Sequence, residues 1–432
     1  MRSRVAPLWL LLEFATATCA PVQPTPPGDS TRVQVASGPA HRGPWRQNDS
    51  DFRWVDDPAV DLAPDGDAYV VWVDQSRKDV LFQRYAPDGQ PRLAAPAEVS
   101  RSPEVFSWLP RVLVDSRDSR RVYVVWQEIV FSGGSHGGEI FFARSTDGRR
   151  FGAPVNLSSS SAGDGKGRLD AKAWDNGSLD FAEARVGEHV VAWTEYEGRL
   201  LMRRSSAAGE TFSPPLHEPP VHIAGDGRAP ARGPSVAVAP EGETHLAWAV
   251  GEDPDADIQF ASAADGRSFG APRGVCLGEG RADAPKIALD ARGTVHLVYL
   301  DFAMSSTSVR YCRMKRGAGA FEPPRTLSQK ARAHAPSLAV DARDRIYVLW
   351  AQSSDAGGAL ALTHSSDGGE RFATPVAVAS VSGAGMGSNG SQQGMFGSKL
   401  AVGDPGELAI VNSTFRPGHA SQVWLLRARV SD

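Results

Sequence analysis

Ala335-Pro-Ser-Leu-Ala-Val-Asp-Ala-Arg-Asp-Arg-Ile-Tyr-Val-Leu-Trp350, with the residues that follow it to Ser380, decides the fold. Pro336-Ser-Leu-Ala-Val340 alternates small and apolar residues, and Asp341-Ala-Arg-Asp-Arg345 is turn chemistry. Ile346-Tyr-Val-Leu-Trp350 is β-branched and aromatic, and Ala359-Leu-Ala-Leu-Thr363 is a third apolar run. Ser365-Ser-Asp-Gly-Gly-Glu-Arg-Phe372 is a polar turn, and Val376-Ala-Val-Ala379 is a fourth run. Four short strands joined by tight turns make one antiparallel meander.

The same paragraph of sequence recurs along the chain. Its ruler is the second run, which ends in an aromatic residue and often an acid two residues on. It reads Ala68-Tyr-Val-Val-Trp-Val-Asp74, Val122-Tyr-Val-Val-Trp-Gln-Glu128, His189-Val-Val-Ala-Trp-Thr-Glu195, His245-Leu-Ala-Trp-Ala249, Val295-His-Leu-Val-Tyr-Leu-Asp301 and Ile346-Tyr-Val-Leu-Trp-Ala-Gln352. Leu408-Ala-Ile-Val-Asn412 is a weaker copy. Roughly 50 to 65 residues separate the copies, the range of propeller blades. First runs with Pro-Asp-Gly or Asp-Pro-Gly turns precede several of them, as at Ala59 to Gly66 and Lys399 to Gly406; Pro presets φ and Gly takes the positive-φ position. Six full repeats run from about Asp56 to Ser380. The C-terminal piece has three runs and no fourth, and Arg32-Val-Gln-Val-Ala-Ser37 is an orphan that reads as an outer strand. Pairing the two ends completes a seventh blade and removes open sheet edges. The expectation is therefore an all-β chain, a seven-bladed β-propeller of four-stranded antiparallel blades spanning 31–432. A six-bladed ring with extra strands is the competing count.

Composition sets the outer limits. The chain has 432 residues, 41% hydrophobic and 22% charged, as expected of a globular protein with a large core. A net charge of −4 gives no electrostatic case for nucleic acid. Three cysteines are too few for a disulfide framework, although Cys276 and Cys312 fall in neighbouring blades. Met1-Arg-Ser-Arg4, the mostly apolar Val5 to Ala17 and the small residues before Cys19 follow the order of a secretory signal over 1–19. Cys19 resembles the lipidated cysteine of a bacterial lipobox, with cleavage near Ala17 or Ala20 as the alternative. Residues 20–30 are Pro-rich and read as a linker. The expected location is outside the cytoplasm, lipid-anchored or secreted, with the membrane touched only through the lipid.

Ser365 to Phe372, Ser145-Thr-Asp-Gly-Arg-Arg-Phe151 and the degenerate Ala263 to Phe269 and Ser206 to Phe212 resemble the Asp-box (BNR) turn of the sialidase-like propeller superfamily. The resemblance spans nearly all of the repeats and implies the fold. It implies less about function, because the turn is structural and lies on the face away from the ligand. A sialidase of this superfamily would need arginines for a carboxylate, a Tyr–Glu nucleophile pair and an acid. Arg53, in Phe52-Arg-Trp-Val55, stands where one arginine would fall, and Tyr196 is the tyrosine in a connecting loop, flanked by Glu195 and Glu197.

On the opposite face, the loops leading into first strands and those linking strands two and three ring the channel mouth. The acids after strand two, Asp74, Glu128, Glu195 and Asp301, with Arg228, Arg232, Arg281 and Arg332 from the leading loops, suggest a charged funnel for a polar ligand or a Ca²⁺ ion. Trp174 lies in a long loop mixed in charge, amide and aromatic residues, a composition suited to sugars. No cofactor is implied otherwise. The leading expectation is a monomeric binder of a glycan or protein partner, without catalysis. A carbohydrate-active enzyme, glycosidase or polysaccharide lyase, and an envelope scaffold are the alternatives.

Overall fold

In the computed structural model the repeats form seven antiparallel sheets, each of four strands except blade 3, which gains a fifth. The structure describes residues 30–129, 138–159, 164, 166–168, 174–176, 178–185, 187–252, 255–275, 281–303, 306–328, 332–354, 357–378, 399–403 and 406–430. Residues 1–29, including the expected signal segment and Cys19, as well as Cys276 and the stretch 379–398, lie outside them. Blade 6 carries the stretch quoted first: Arg332–Val340, Ile346–Ser354, Gly357–Ser365 and Val376–Val378, hydrogen-bonded in that order. The first strands of blades 1 to 5 are Val55–Leu62, Ser107–Val114, Leu179–Arg185, Ala231–Val238 and Arg281–Leu289.

Blade 7 closes the ring. Thr31–Gly38 pairs antiparallel with Ala420–Arg429, from Thr31 opposite Arg427 to Gly38 opposite Ser421, and Glu407–Arg416 and Leu400–Gly403 follow inward. Leu400–Gly403 packs on the first strands of both blade 6 and blade 1. Ser421 stitches the seam: its hydroxyl accepts from the Val55 amide at 2.9 Å and donates to the Pro39 carbonyl at 2.5 Å. The count is thus seven, not six.

The ruler residues form the core between blades. Trp72, Trp126, Trp193, Trp248, Tyr299 and Trp350 occupy the same place in successive second strands and all are buried. Period-2 alternation puts each on the blade face that its neighbour covers. Blade 7 has Asn412 at this place, and the amide oxygen accepts a hydrogen bond from buried Lys399 Nζ at 3.0 Å.

The polar turn after the third strand has its own wiring. In blade 6, Ser365 Oγ bonds Asp367 Oδ1 at 2.9 Å and accepts from the Gly369 amide at 3.0 Å, while Asp367 accepts from the Arg371 amide at 2.9 Å. Gly369 has φ +86°, and a Cβ there would lie 1.9 Å from the Tyr311 hydroxyl, so only glycine fits. Blade 3 departs from the pattern. The edge of its third strand, Leu200–Ser205, is shared by two short strands, Phe212–Ser213 and Val221–Ala224. Pro214, Pro215, Pro219 and Pro220 between them lack the amides a continuous edge needs. Among the described residues no helix is long and apolar enough to cross a membrane.

Candidate site at the channel mouth

The mouth is built from the upper ends of the first strands, and five of these carry the same device. Asp57, Leu109, Gly233, Ala284 and Ala335 all have φ between +45° and +55°, each stands before a proline, and the ladder to the second strand slips there. This is a β-bulge with its extra residue in the left-handed region. At the four non-glycine positions it costs on the order of 1 kcal/mol or more each.

Beyond the bulge the registers align in rings. Ala59, Arg111, Asp180, Ser235, Lys286 and Ser337 each pair with the residue just before the core aromatic of the second strand. Lys399 holds this place in blade 7, where its carbonyl accepts from the Val411 amide at 3.0 Å. Two residues further in, the ring is Asp61, Leu113, Ala182, Ala237, Ala288, Ala339 and Ala401. Five of the seven are alanine, whose small side chain lets first strands approach one another.

Several of these polar side chains satisfy the inner edge of the next blade. Asp180 Oδ2 accepts from the Val236 amide at 2.9 Å, Ser235 Oγ from Ile287 at 3.1 Å, and Asp61 Oδ2 from Val114 at 2.9 Å. Backbone amides on an unpaired inner edge need such partners. The cations of the first ring, Arg111, Lys286 and Lys399, are buried. Arg111 donates to the Leu109 and Pro110 carbonyls at 3.0 and 3.2 Å. Burial lowers the pKa of Lys286, against the pull of Asp180, and that of Lys399, against the pull of Asp56 and Asp57. Burial raises the pKa of Asp56, whose carboxylate accepts from Ser413. Arg232 and Asp283 are both fully buried and meet at 3.0 Å; Arg281 reaches the same oxygen at 3.3 Å and stacks over Phe302.

Asp61 stands alone as a charge in its ring. Burial lifts its pKa to about 6, against hydrogen bonds from Val114 and Leu62. The folded chain then holds this proton to about pH 6, whereas the unfolded chain releases it near pH 4. Rising pH across that window favours the unfolded state, and the penalty is complete above it. Asp61→Asn is therefore expected to gain melting temperature relative to the parent as pH rises from about 4 to 6. Thermal melts of both proteins across this range check it; a pH-independent difference would show that Asp61 titrates normally.

Beside this polar mouth lies an aromatic cluster. Trp54, Phe106, Trp108 and Phe52 pack at centroid distances of 4.6 to 6.5 Å, and Phe415 joins from blade 7. Phe52 belongs to a hairpin of His41–Arg42 with Phe52–Arg53. Trp45, at the tip, rests 5.8 Å from Phe52 and is 54% exposed.

The anticipated funnel pairs differently. Asp74 accepts from the Ser76 amide, and Glu128 from Trp126 Nε1 and Ser102 Oγ at 2.9 and 2.8 Å. Both oxygens of Glu195 are engaged by Arg199, and Asp301 pairs with Arg310 at 2.8 Å. Second strands stand one strand away from the axis, so their acids find partners within their own blade. Arg228 and Arg332 are exposed, and Arg53 pairs with Asp51 at 3.0 Å. Arg232 and Arg281 do meet, through Asp283. Tyr196 is half-buried, in the loop after blade 3's second strand. Trp174 lies in a hairpin of Lys166–Arg168 with Trp174–Asn176, against the first strand of blade 4. Tyr299 and Tyr123 are pushed up to about 12 by burial, which suits core phenols and not nucleophiles. Among the described residues no group of three or more His, Cys, Asp or Glu is placed to hold a metal ion.

Arg111, Asp283, Lys286, Lys399 and Trp45 were not singled out from sequence. The first four were detectable: they flank the repeated proline, or its equivalent in blade 7, once the first strands are aligned column by column.

Solved structures share this architecture, these three among them. A polysaccharide lyase of family PL25, an ulvan lyase, superposes with a TM-score of 0.55 at 15% identity, covering 89% of this chain and 94% of its own. The polysaccharide lyase Uly1 gives 0.51 at 10% identity over 86% and 90%. A protein of unknown function from Dyadobacter fermentans gives 0.52 at 13% over 77% and 97%. At such identities the likeness is one of fold. No protein-family model matches the chain, and no curated protein matches it by sequence.

Proposed function

We propose that this chain is an exported propeller that binds a glycan at the channel mouth without turning it over. The observation that carries the reading is the exposed Trp45, backed by Phe52 and the buried aromatic cluster, on a hairpin at the mouth that also exposes the polar groups of His41, Asp51 and Arg53. A flat apolar ring beside fixed hydrogen-bonding groups matches a sugar, which has apolar faces and a polar rim. The non-catalytic reading is supported by Glu195: with both oxygens on Arg199 it is a poor base for Tyr196. Export is supported by Cys312, which is disulfide-bonded, since such bonds persist in oxidising compartments. The lipid anchor at Cys19 belongs to the same proposal.

The test is a glycan panel read by calorimetry. Trp45→Ala is expected to weaken the best ligand about tenfold, the scale of one aromatic contact, with the melting temperature unchanged. Binding that is indifferent to Trp45 would move the site elsewhere. Catalysis is the second reading, favoured by the fold likeness to polysaccharide lyases. The same panel followed for unsaturated or reducing-end products decides it, and turnover lost in Tyr196→Phe would replace the binder with an enzyme.

A further inference from the structure

A second cleft lies at the outer rim, away from the mouth, between blades 1 and 2. Its volume is about 960 Å³. One wall is the segment Leu93-Ala-Ala-Pro-Ala97, in which Ala94, Ala95 and Pro96 are exposed; the other is the turn Arg149-Arg150-Phe151 after blade 2's third strand. The chain carries a net charge of −4, yet the cleft is lined by Arg92, Arg101, Arg149 and Arg150 against Glu98 alone.

These arginines divide by what holds them. Arg92 forks onto Asp67 at 2.9 Å, and Arg101 donates to the Phe151 and Gly152 carbonyls. Glu98 is paired with Arg77. Arg149 and Arg150 are different. Asp147 accepts from both of their backbone amides at 2.8 Å, which holds the turn, and both exposed side chains line the cleft. Among the described residues neither guanidinium makes an ion pair or a side-chain hydrogen bond, although the backbone amide of Arg150, and with it the Arg150 charge, helps to hold the Asp147 carboxyl below its usual pKa. Phe151, beneath them, is buried and anchors the turn in the core edge-on to Phe82.

We infer that this cleft is a second saccharide site, one that takes an anionic oligosaccharide bearing carboxylate or sulfate groups. Two adjacent guanidinium forks suit oxyanions along a chain. The opposing apolar strip suits the faces of the sugar rings, and the volume accommodates a short oligosaccharide. A small inorganic anion would leave the strip unused.

The experiment uses the full-length chain, calorimetry and four probes: an oligogalacturonide, a sulfated dextran fragment, neutral dextran, and vesicles containing an anionic phospholipid. The expected result is binding of the carboxylated or the sulfated probe that weakens with added salt and falls at least about tenfold in the Arg149→Gln/Arg150→Gln variant. Which probe binds identifies the anion. The variant touches two exposed side chains and is expected to keep the parent melting temperature. Trp45→Ala is expected to leave this binding unchanged, which separates the cleft from the mouth. Equal binding of neutral dextran, binding unaffected by the double variant, or binding of vesicles alone would overturn the proposal. Anionic binding that is lost in Trp45→Ala and kept in the arginine variant would place the ligand at the mouth and overturn it too.

Discussion

Asp283→Ala is expected to cost about 3–5 kcal/mol of folding stability, the scale for orphaning one partner of a buried ion pair. Asp283 and Arg232 have no side-chain exposure, and their 3.0 Å contact joins the first strands of neighbouring blades 4 and 5. Arg232 also donates to the Gly251 carbonyl, which fixes the guanidinium where it is. Without the carboxylate a full charge stays in a site that water does not reach, and guanidinium cannot shed its proton to escape. Arg281 also loses a partner and crowds the same place with like charge. Urea unfolding is the measurement, with the midpoint shifted and the slope kept. Replacing both partners by apolar residues, Arg232→Met with Asp283→Leu, is expected to recover most of the loss. A single-variant loss below about 1 kcal/mol would mean that the pair is solvated, because exposed pairs contribute on that scale.

Removing the N-terminal strand has the other large consequence. A chain beginning after Gly38 leaves Ala420–Arg429 as an open edge. The exposed ladder is long and carries Val423 and Leu425, both fully buried in the closed ring. Such an edge is a template for another chain. The shortened protein is expected to melt at markedly lower temperature and to elute as larger species in light-scattering chromatography. A synthetic peptide covering residues 30–42, added in trans, is expected to restore the parent elution. Ser421→Ala is the gentler probe: it removes the acceptor for the buried Val55 amide and is expected to cost about 1–3 kcal/mol. A shortened chain that melts and elutes like the parent would show that six blades hold themselves closed.

The blades were legible because what makes them is local. The second-strand pattern ending at Trp72 or Trp350 needs only alternation, and the turn at Asp341 only Asp chemistry. Even closure could be read, from an orphan run at one end and a missing run at the other. The mouth was not, for two physical reasons. Its pairings cross blades: Arg232 reaches an acid 51 residues away, and no spacing rule predicts which. Its geometry is radial, and Glu128 and Asp301 lie one strand too far out to share the axis, although they recur as regularly as the core aromatics. Trp45 escaped for the opposite reason: it lies in a stretch that belongs to no repeat.

The five proline bulges also say where the ring is open to elaboration. In blades 1, 2, 4, 5 and 6 the arriving chain is committed to one direction by a left-handed residue and a fixed ring. Blade 3 begins with Ser178-Leu179-Asp180 and has neither, and blade 7 has no proline before Lys399-Leu400. They are also the blades preceded by the long segments from Ser158 and from Val381. The fold thus behaves like a wheel with five welded spokes and two sockets. Diversification, natural or designed, is best aimed at the sockets, where added length displaces no ring-fixed residue.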